Sequence, residues 1–321
     1  MTDSFFPFRD IYKAKHRISS IVEPTPLIYS EPLSDLLQTD VYLKYEQEHP
    51  TGAFKIRGAA NKVLSLSEED RDKGVTTFST GNHGISVAYI ANRLDISCTV
   101  CISNRVPSQK RRKLERLGAQ VIVTGNSQDD AKDYCERLER ESGMTIIPPF
   151  DDPDIIAGQG TIGLELIEQC PDLKKVIIPL SGGGLLAGIG YALKSIDASI
   201  QIKGVTMEKS AVMYESLKNG TPLLLEETET LADSLLGGIG LDNRYTFPMT
   251  KAFIDQAELV SEASIANGIY YMMDHHKMIV EGAAAAGIGC LLNNQETGPV
   301  VAIITGNNID SEVIDKLVKE R

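Results

Sequence analysis

The chain is poor in cysteine: its five, at 98, 101, 135, 170 and 290, are scattered through 321 residues and odd in number. This excludes a disulfide framework and fits the reduced thiols of a cytoplasmic protein. Cys98 and Cys101 do form a CxxC, but it has no second pair and no suitably spaced histidine. It lies inside the strand-like ISCTVCI, so it reads as buried thiols and not as a zinc or redox centre. Positive charge is also scarce. Thirty-two Lys and Arg against 44 Asp and Glu leave a net charge of −12, which argues against a nucleic-acid or anionic-membrane partner. The cationic block in QKRRKLERLG, Lys110 to Lys113, reads as a solvated helix face. Long apolar runs are missing as well. IVEGAAAAGIGCLL carries Glu281 and is too short to span a bilayer, so it reads as a buried helix. MTDSFFPFRD lacks the basic and apolar regions of a signal peptide.

What is present is a soluble, 42% apolar chain, long enough for one large α/β unit or two domains sharing a cleft. From Val75 onward, short β-branched runs (VTTFS, SCTVCI, QVIVT, MTIIP, KVIIP, IKGVT, PVVAIIT) alternate with amphipathic stretches such as HGISVAYIANRL and DDAKDYCERLERESG. This alternation predicts βαβ units and mostly parallel sheets. With no repeat or low-complexity linker, two domains must be interleaved. We expect a small domain over 74–151, inserted into a larger one made of 1–73 and 152–321.

In such sheets ligands bind beyond the carboxyl ends of strands. Three polar or glycine-rich turns fall there: Ser79-Thr80-Gly81-Asn82-His83, Ser181-Gly182-Gly183-Gly184, and Thr305-Gly306-Asn307-Asn308. The second leads directly from KKVIIPL into LLAGIGYALKS. Bare glycine backbone and a helix N-terminus converging on one point make an anion site, suited to a phosphate.

Gly182-x-Gly184-x-x-Ala187, with Glu208 ending the next strand, loosely fits a dinucleotide fingerprint and would allow an NAD oxidoreductase. A competing feature lies upstream, in HPTGAFKIRGAAN. There Lys55 sits between a glycine turn and a small-residue helix, a setting in which desolvation lowers an amine's pKa for Schiff-base chemistry.

TGAFKIRGAA, STGNHG, AGQGTIGLEL, PLSGGGLLAG and TGNN, in this order over nearly the whole chain, resemble the pyridoxal-phosphate enzymes of the serine/threonine dehydratase and serine racemase family. STGNHG, PFDDPDIIAGQGTIGLEL, ADSL and GGIGLDNRYTF resemble most the dehydratases associated with hydroxyectoine utilisation. The resemblance implies fold type II, the tryptophan synthase β-like architecture, with the active site between two open, mostly parallel-sheet domains and a homodimeric assembly. It implies that Lys55 forms the Schiff base with the cofactor and acts as general base, and that Phe54 packs on the pyridine ring. Asn82 would bind the ring's 3′-oxygen. Ser181, Gly182, Gly183, Gly184 and the Leu185 backbone would hold the phosphate, while Thr305 would face the pyridine nitrogen. Ser79, Thr80, Gly81 and His83 would receive the α-carboxylate of an amino-acid substrate. The implied reaction is loss of water from a β-hydroxy-α-amino acid to give a 2-oxo acid and ammonia; racemisation or β-replacement would use the same cofactor residues.

The sequence departs from that pattern in places. Thr206 and Val212 stand where the racemases' divalent-cation carboxylates are expected, so no metal site is expected. Thr80 replaces the racemase serine that handles the proton on the far cofactor face. Ala131, next to Lys132, replaces an Arg that binds a second carboxylate in some relatives. No C-terminal regulatory domain is expected after TGNN. His275 and His276 read as helix-surface groups without metal-ligating companions.

Overall fold

The computed structural model describes residues 5–106, 108–126 and 128–321. Its strands are β1 (Leu27–Tyr29), β2 (Val41–Tyr45), β3 (Val75–Thr77), β4 (Cys98–Ile102), β5 (Gln120–Val123), β6 (Thr145–Ile146), β7 (Lys175–Pro179), β8 (Gln201–Met207), β9 (Gln256–Val260) and β10 (Val300–Ile304). They form a six-stranded sheet, β1-β2-β10-β7-β8-β9, and a four-stranded sheet, β5-β4-β3-β6. Every pairing is parallel except the edge pair β1–β2. The smaller sheet is drawn entirely from residues 75–146, and the larger from the chain on both sides of it.

The pattern of the strands explains where they lie. β10 is VVAII, buried throughout, and sits between β2 and β7 with Ile304 beside Tyr45 and Ala302 beside Ile177. An uninterrupted apolar strand of this kind needs cover on both faces. Helix Gly282–Asn293 packs on one face, and Val301 and Ile303 join a second cluster with Ile189 and Leu193 of helix Gly184–Ile196 on the other. The Glu281 segment is therefore the buried helix that its composition predicts.

Three strands escape the apolar-run criterion. In β2 the interruption is Lys44, fully buried because its amine reaches Glu165 at 2.6 Å and the Thr25 carbonyl at 2.8 Å. β1 has only three residues, and β9 carries Gln256 and Glu258 as befits a sheet edge. The VTTFS and MTIIP strands are shorter than their β-branched runs, ending at Thr77 and Ile146.

Two surface assignments are corrected. The basic helix, Ser108–Arg116, is not merely solvated: Lys113 donates to Asn308 Oδ1 at 2.6 Å, and Lys110 lies 3.6 Å from Asp233 and 3.7 Å from Asp310. Its cations meet acids far away in sequence. His276 is half-buried, joined through its ring nitrogens to Ser30 Oγ at 3.0 Å and Tyr45 Oη at 3.1 Å. His275 is exposed, its ring 4.2 Å from that of Tyr271. All five cysteines are free and buried, with burial pushing the Cys98 thiol up to about 12.

Candidate active site

Four chain segments leave the carboxyl ends of parallel strands and meet. From β2 the chain passes through a 3-10 turn, Glu46–Glu48, and Gly52 (φ +74°) into helix Lys55–Ser65. The left-handed φ of Gly52 is one that favours glycine, and a Cβ there would also stand 2.5 Å from Asn307 Oδ1 in the segment after β10. Ala53 forms a single antiparallel bridge with Gly306. The helix is held from behind by Arg57, whose guanidinium grips Glu46 (2.7 Å) and Glu165 (2.5 Å) in a setting closed to water. Removing one partner from so buried a pair costs about 3–5 kcal/mol.

At the head of this helix, Lys55 Nζ donates to the Pro149 carbonyl at 2.7 Å and lies 5.3 Å from the centroid of the Phe54 ring. Burial pulls the amine down to about 8, partly opposed by the Glu281 carboxyl. Desolvation is thus the larger influence, and it brings a lysine into the range where its neutral, nucleophilic form is well populated near neutral pH.

The second segment follows β7. Gly183 (φ +86°) is the residue before helix Gly184–Ile196, which no side chain caps. A Cβ on Gly182 would meet the Phe150 ring at 2.4 Å, and one on Gly183 would meet Met213 Cε at 2.7 Å. A closely packed glycine turn feeding an uncapped N-terminus of a thirteen-residue helix fits a phosphate held by backbone N–H groups. Ser181 borders this turn, and Leu185 is the second residue of the helix.

After β10 comes Thr305, 2% exposed, whose hydroxyl has no hydrogen-bond partner. An orphaned buried hydroxyl is costly and calls for a ligand group. After β3, the loop of Ser79, Thr80 and Gly81 leads into helix Asn82–Arg93, also without a side-chain cap. Space beside Gly81 is open for at least 4 Å where a Cβ would point.

Asn82 and His83 are buried in different ways. Asn82 Nδ2 donates to both carboxylate oxygens of Glu281, at 3.0 and 2.9 Å. His83 donates from Nε2 to the Ile147 carbonyl at 2.9 Å, and burial, reinforced by the Lys55 charge, pushes its pKa down to about 3. The His83 ring is therefore neutral, its only N–H given to Ile147 and its Nδ1 left as an unpartnered acceptor. Its backbone N–H, and not its ring, is the group left for a carboxylate. Glu281 was read from sequence only as an interruption of an apolar helix. A single acidic residue before eight consecutive Gly, Ala and Ile positions is the signal that could have marked it.

Elsewhere the sequence departures stand as follows. Thr206 is buried and donates to Met207 Sδ, and Val212 is buried too, while Glu208 is exposed. Ala131 packs with Cys101 and Cys135, and Lys132 is 3.9 Å from Glu136. Among the described residues no helix is long and apolar enough to cross a membrane.

An amine of lowered pKa, a tight glycine turn at an uncapped helix end and an unpaired buried hydroxyl thus lie at the carboxyl ends of parallel strands. The chain belongs to the family of pyridoxal-phosphate dependent enzymes, whose pattern it matches over residues 18–306. It is 39% identical over 313 residues to the L-threonine ammonia-lyase of Thermotoga maritima, covering 97% of this chain and 78% of the relative. Its fold superposes on maize serine racemase with TM-score 0.91 and 29% identity, over 98% and 97% of the two chains. Threonine deaminase isoform 2 of Solanum lycopersicum also gives 0.91, at 33% identity over 97% and 87%.

Proposed function

We propose that this chain is an ammonia-lyase that removes water from a β-hydroxy-α-amino acid, yielding a 2-oxo acid and ammonia. The observation that carries the reading is Lys55, whose lowered pKa and position beside the Gly182–Gly184 cradle and Thr305 suit both carbonyl capture and proton removal. The identity to relatives named as threonine ammonia-lyases supports it.

Pyridoxal phosphate, when bound, supplies an electron sink that acidifies the Cα proton of an amino acid. Ser181, Gly182, Gly183, Gly184 and the Leu185 N–H would hold its phosphate, Phe54 would pack on its ring, Asn82 would donate to its phenolic oxygen, and Thr305 would answer the pyridine nitrogen with a neutral hydroxyl. Ser79, Thr80, Gly81 and the His83 N–H would receive the substrate carboxylate at the uncapped helix end. Lys55 would take the Cα proton on its neutral amine, and the β-hydroxyl would depart with that proton as water. The released enamine tautomerises and hydrolyses to oxo acid and ammonia. Thr305 would offer the cofactor's ring nitrogen a neutral hydroxyl and no carboxylate, a setting that would favour prompt loss of the β-hydroxyl.

A threonine- or serine-like substrate, or a hydroxy amino acid derived from hydroxyectoine, fits this chemistry. The working form in this reading is a cytoplasmic homodimer, for which the exposed Ile28 and Tyr29 of edge strand β1 and Leu36 of the helix that follows it offer apolar surface. Residues 74–151 act as the smaller domain. A second reading, racemisation, draws on the hydroxyl that Thr80 retains and on the similarity to maize serine racemase.

The test is a panel of β-hydroxy amino acids given to the purified, pyridoxal-phosphate-loaded protein, with ammonia and 2-oxo acid measured together. Equal yields of the two are expected from at least one of them, with Lys55→Ala slower by more than about 100-fold, within the usual effect of removing a general base. No ammonia from any member, or a Lys55→Ala protein that keeps its rate, would overturn the reading.

A further inference from the structure

Glu281 stands at the N-cap of helix Gly282–Asn293, yet its carboxyl does not cap that helix. It is 2% exposed, and its oxygens turn instead to Asn82 Nδ2. On the opposite side of the same amide, Asn308 Nδ2 donates to Asn82 Oδ1 at 2.6 Å while also donating to the Thr51 carbonyl at 2.9 Å. The Asn82 amide is thus held between a carboxyl that, when ionised, only accepts and a donor fixed from elsewhere. Rotated by half a turn, it would set oxygen against carboxylate and N–H against N–H, which excludes that orientation.

The place is otherwise made for small residues. Gly306 lies so close that a Cβ on it would stand 2.7 Å from Glu281 Oε1, and the helix behind begins Gly-Ala-Ala-Ala-Ala. Packing alone gives no reason for a carboxyl here, and burying one is costly unless its hydrogen bonds are used. Burial indeed pushes Glu281 up to about 7, with Asn82 pulling against the shift and Asp233 adding to it. The other charges that feel it are Lys55 and Lys113.

We propose that Glu281 is the positioning residue for cofactor binding: it fixes the Asn82 amide by accepting from its nitrogen, leaving an N–H of that nitrogen for the phenolic oxygen of pyridoxal phosphate. The inference rests on the role given to Asn82 above. It assigns to one buried carboxyl the choice between two amide orientations that differ in whether a donor or an acceptor faces the cofactor.

The test measures the dissociation constant of pyridoxal phosphate from the full-length apoprotein, by dialysis and by the absorption of the bound form, so that turnover is not needed. Glu281→Met keeps bulk and burial but removes the acceptor; it should weaken binding about tenfold, the worth of one good hydrogen bond. Glu281→Gln keeps an acceptor oxygen and should stay within about threefold of wild type. Combining Glu281→Met with Asn82→Ala should be no worse than Asn82→Ala alone, because the two act through one contact. The absorption band of the Glu281→Met protein should move as that of Asn82→Ala does. Wild-type affinity in Glu281→Met, or additive losses in the double variant, would overturn the proposal. Should Glu281→Met be insoluble, Asn308→Asp decides from the half-buried side: it sets an acceptor against Asn82 Oδ1 and should weaken binding, and unchanged affinity would refute a role for amide orientation. If wild type itself fails to bind pyridoxal phosphate, the reading of the site fails first, and the two failures are told apart.

Discussion

The backbone N–H of Phe54 donates to the carbonyl of Thr305 at 3.0 Å. One hydrogen bond thereby ties the segment carrying Lys55 to the end of β10, which carries the unpaired hydroxyl. The two groups proposed for opposite duties on the cofactor, base and pyridine partner, are thus set by adjacent backbone and not by long side chains.

The lowered amine has a kinetic signature. An aldehyde is captured by the unprotonated lysine, so the rate at which apoprotein takes up pyridoxal phosphate should rise with pH and level off above a midpoint near 8. The same shift bears on stability. The folded amine gives up its proton near 8 and the unfolded one near 10.5, so between these values the unfolded state holds more protons and this group makes folding more favourable as pH rises. Stopped-flow absorbance across pH 6 to 10 checks the first part, and a midpoint at the ordinary lysine value would contradict it.

Thr305→Val should act in opposite directions on the two forms of the protein. Removing an unpaired buried hydroxyl should stabilise the apoprotein by about 1 kcal/mol, whereas the loss of a ligand contact should weaken cofactor affinity by a similar amount. Thermal unfolding with and without pyridoxal phosphate separates the two effects. A variant less stable in both forms would show that the hydroxyl is already satisfied.

Gly183→Ala is expected to harm the phosphate cradle from within. Its φ of +86° costs an L-residue about 1–2 kcal/mol, and the new methyl would meet Met213 and the Thr250 hydroxyl within 2.8 Å. Cofactor affinity should fall at least about tenfold, since the strain is relieved by moving the loop. Fluorescence titration measures this, and unchanged affinity would move the phosphate away from this turn.

Thr80 should set the partition between elimination and racemisation. Threonine's methyl restricts χ1, so its hydroxyl is less free than that of serine to reach Cα. Wild type should make ammonia faster than D-isomer, and Thr80→Ser should raise the D-isomer share. Chiral chromatography beside an ammonia assay reads both; a ratio that does not move on substitution would remove Thr80 from this role.

What could be read beforehand was local in the chain. Lys55 between a glycine turn and a small-residue helix, the run from Ser181 to Gly184, and Thr305 after VVAII each announce themselves within about ten residues. The alternation of apolar runs with amphipathic stretches likewise gave most strands of both sheets. What remained hidden is made by partners far apart. Asn82 and Glu281 are separated by 199 positions, and His83 gives its ring N–H to a carbonyl 64 positions away, which no spacing rule reports. β2 was obscured because Lys44 looks like a surface residue until Glu165 is placed against it. The helix at Lys110 to Lys113 looked solvated because Asp233, Asn308 and Asp310 come much later in the chain.

The strand order also bears on how the protein is made. β10, the last of the described strands in chain order, takes the place between β2 and β7. Until it arrives the large sheet has two raw edges, which face each other across the gap and can pair with another nascent chain as readily as with their own. Thr305 is attached to that same strand, so a chain halted before residue 300 lacks both the sheet's centre and the hydroxyl proposed to face the cofactor. Cofactor retention should therefore report whether β10 has joined the sheet, and delay in its arrival should leave the β2 and β7 edges open to aggregation.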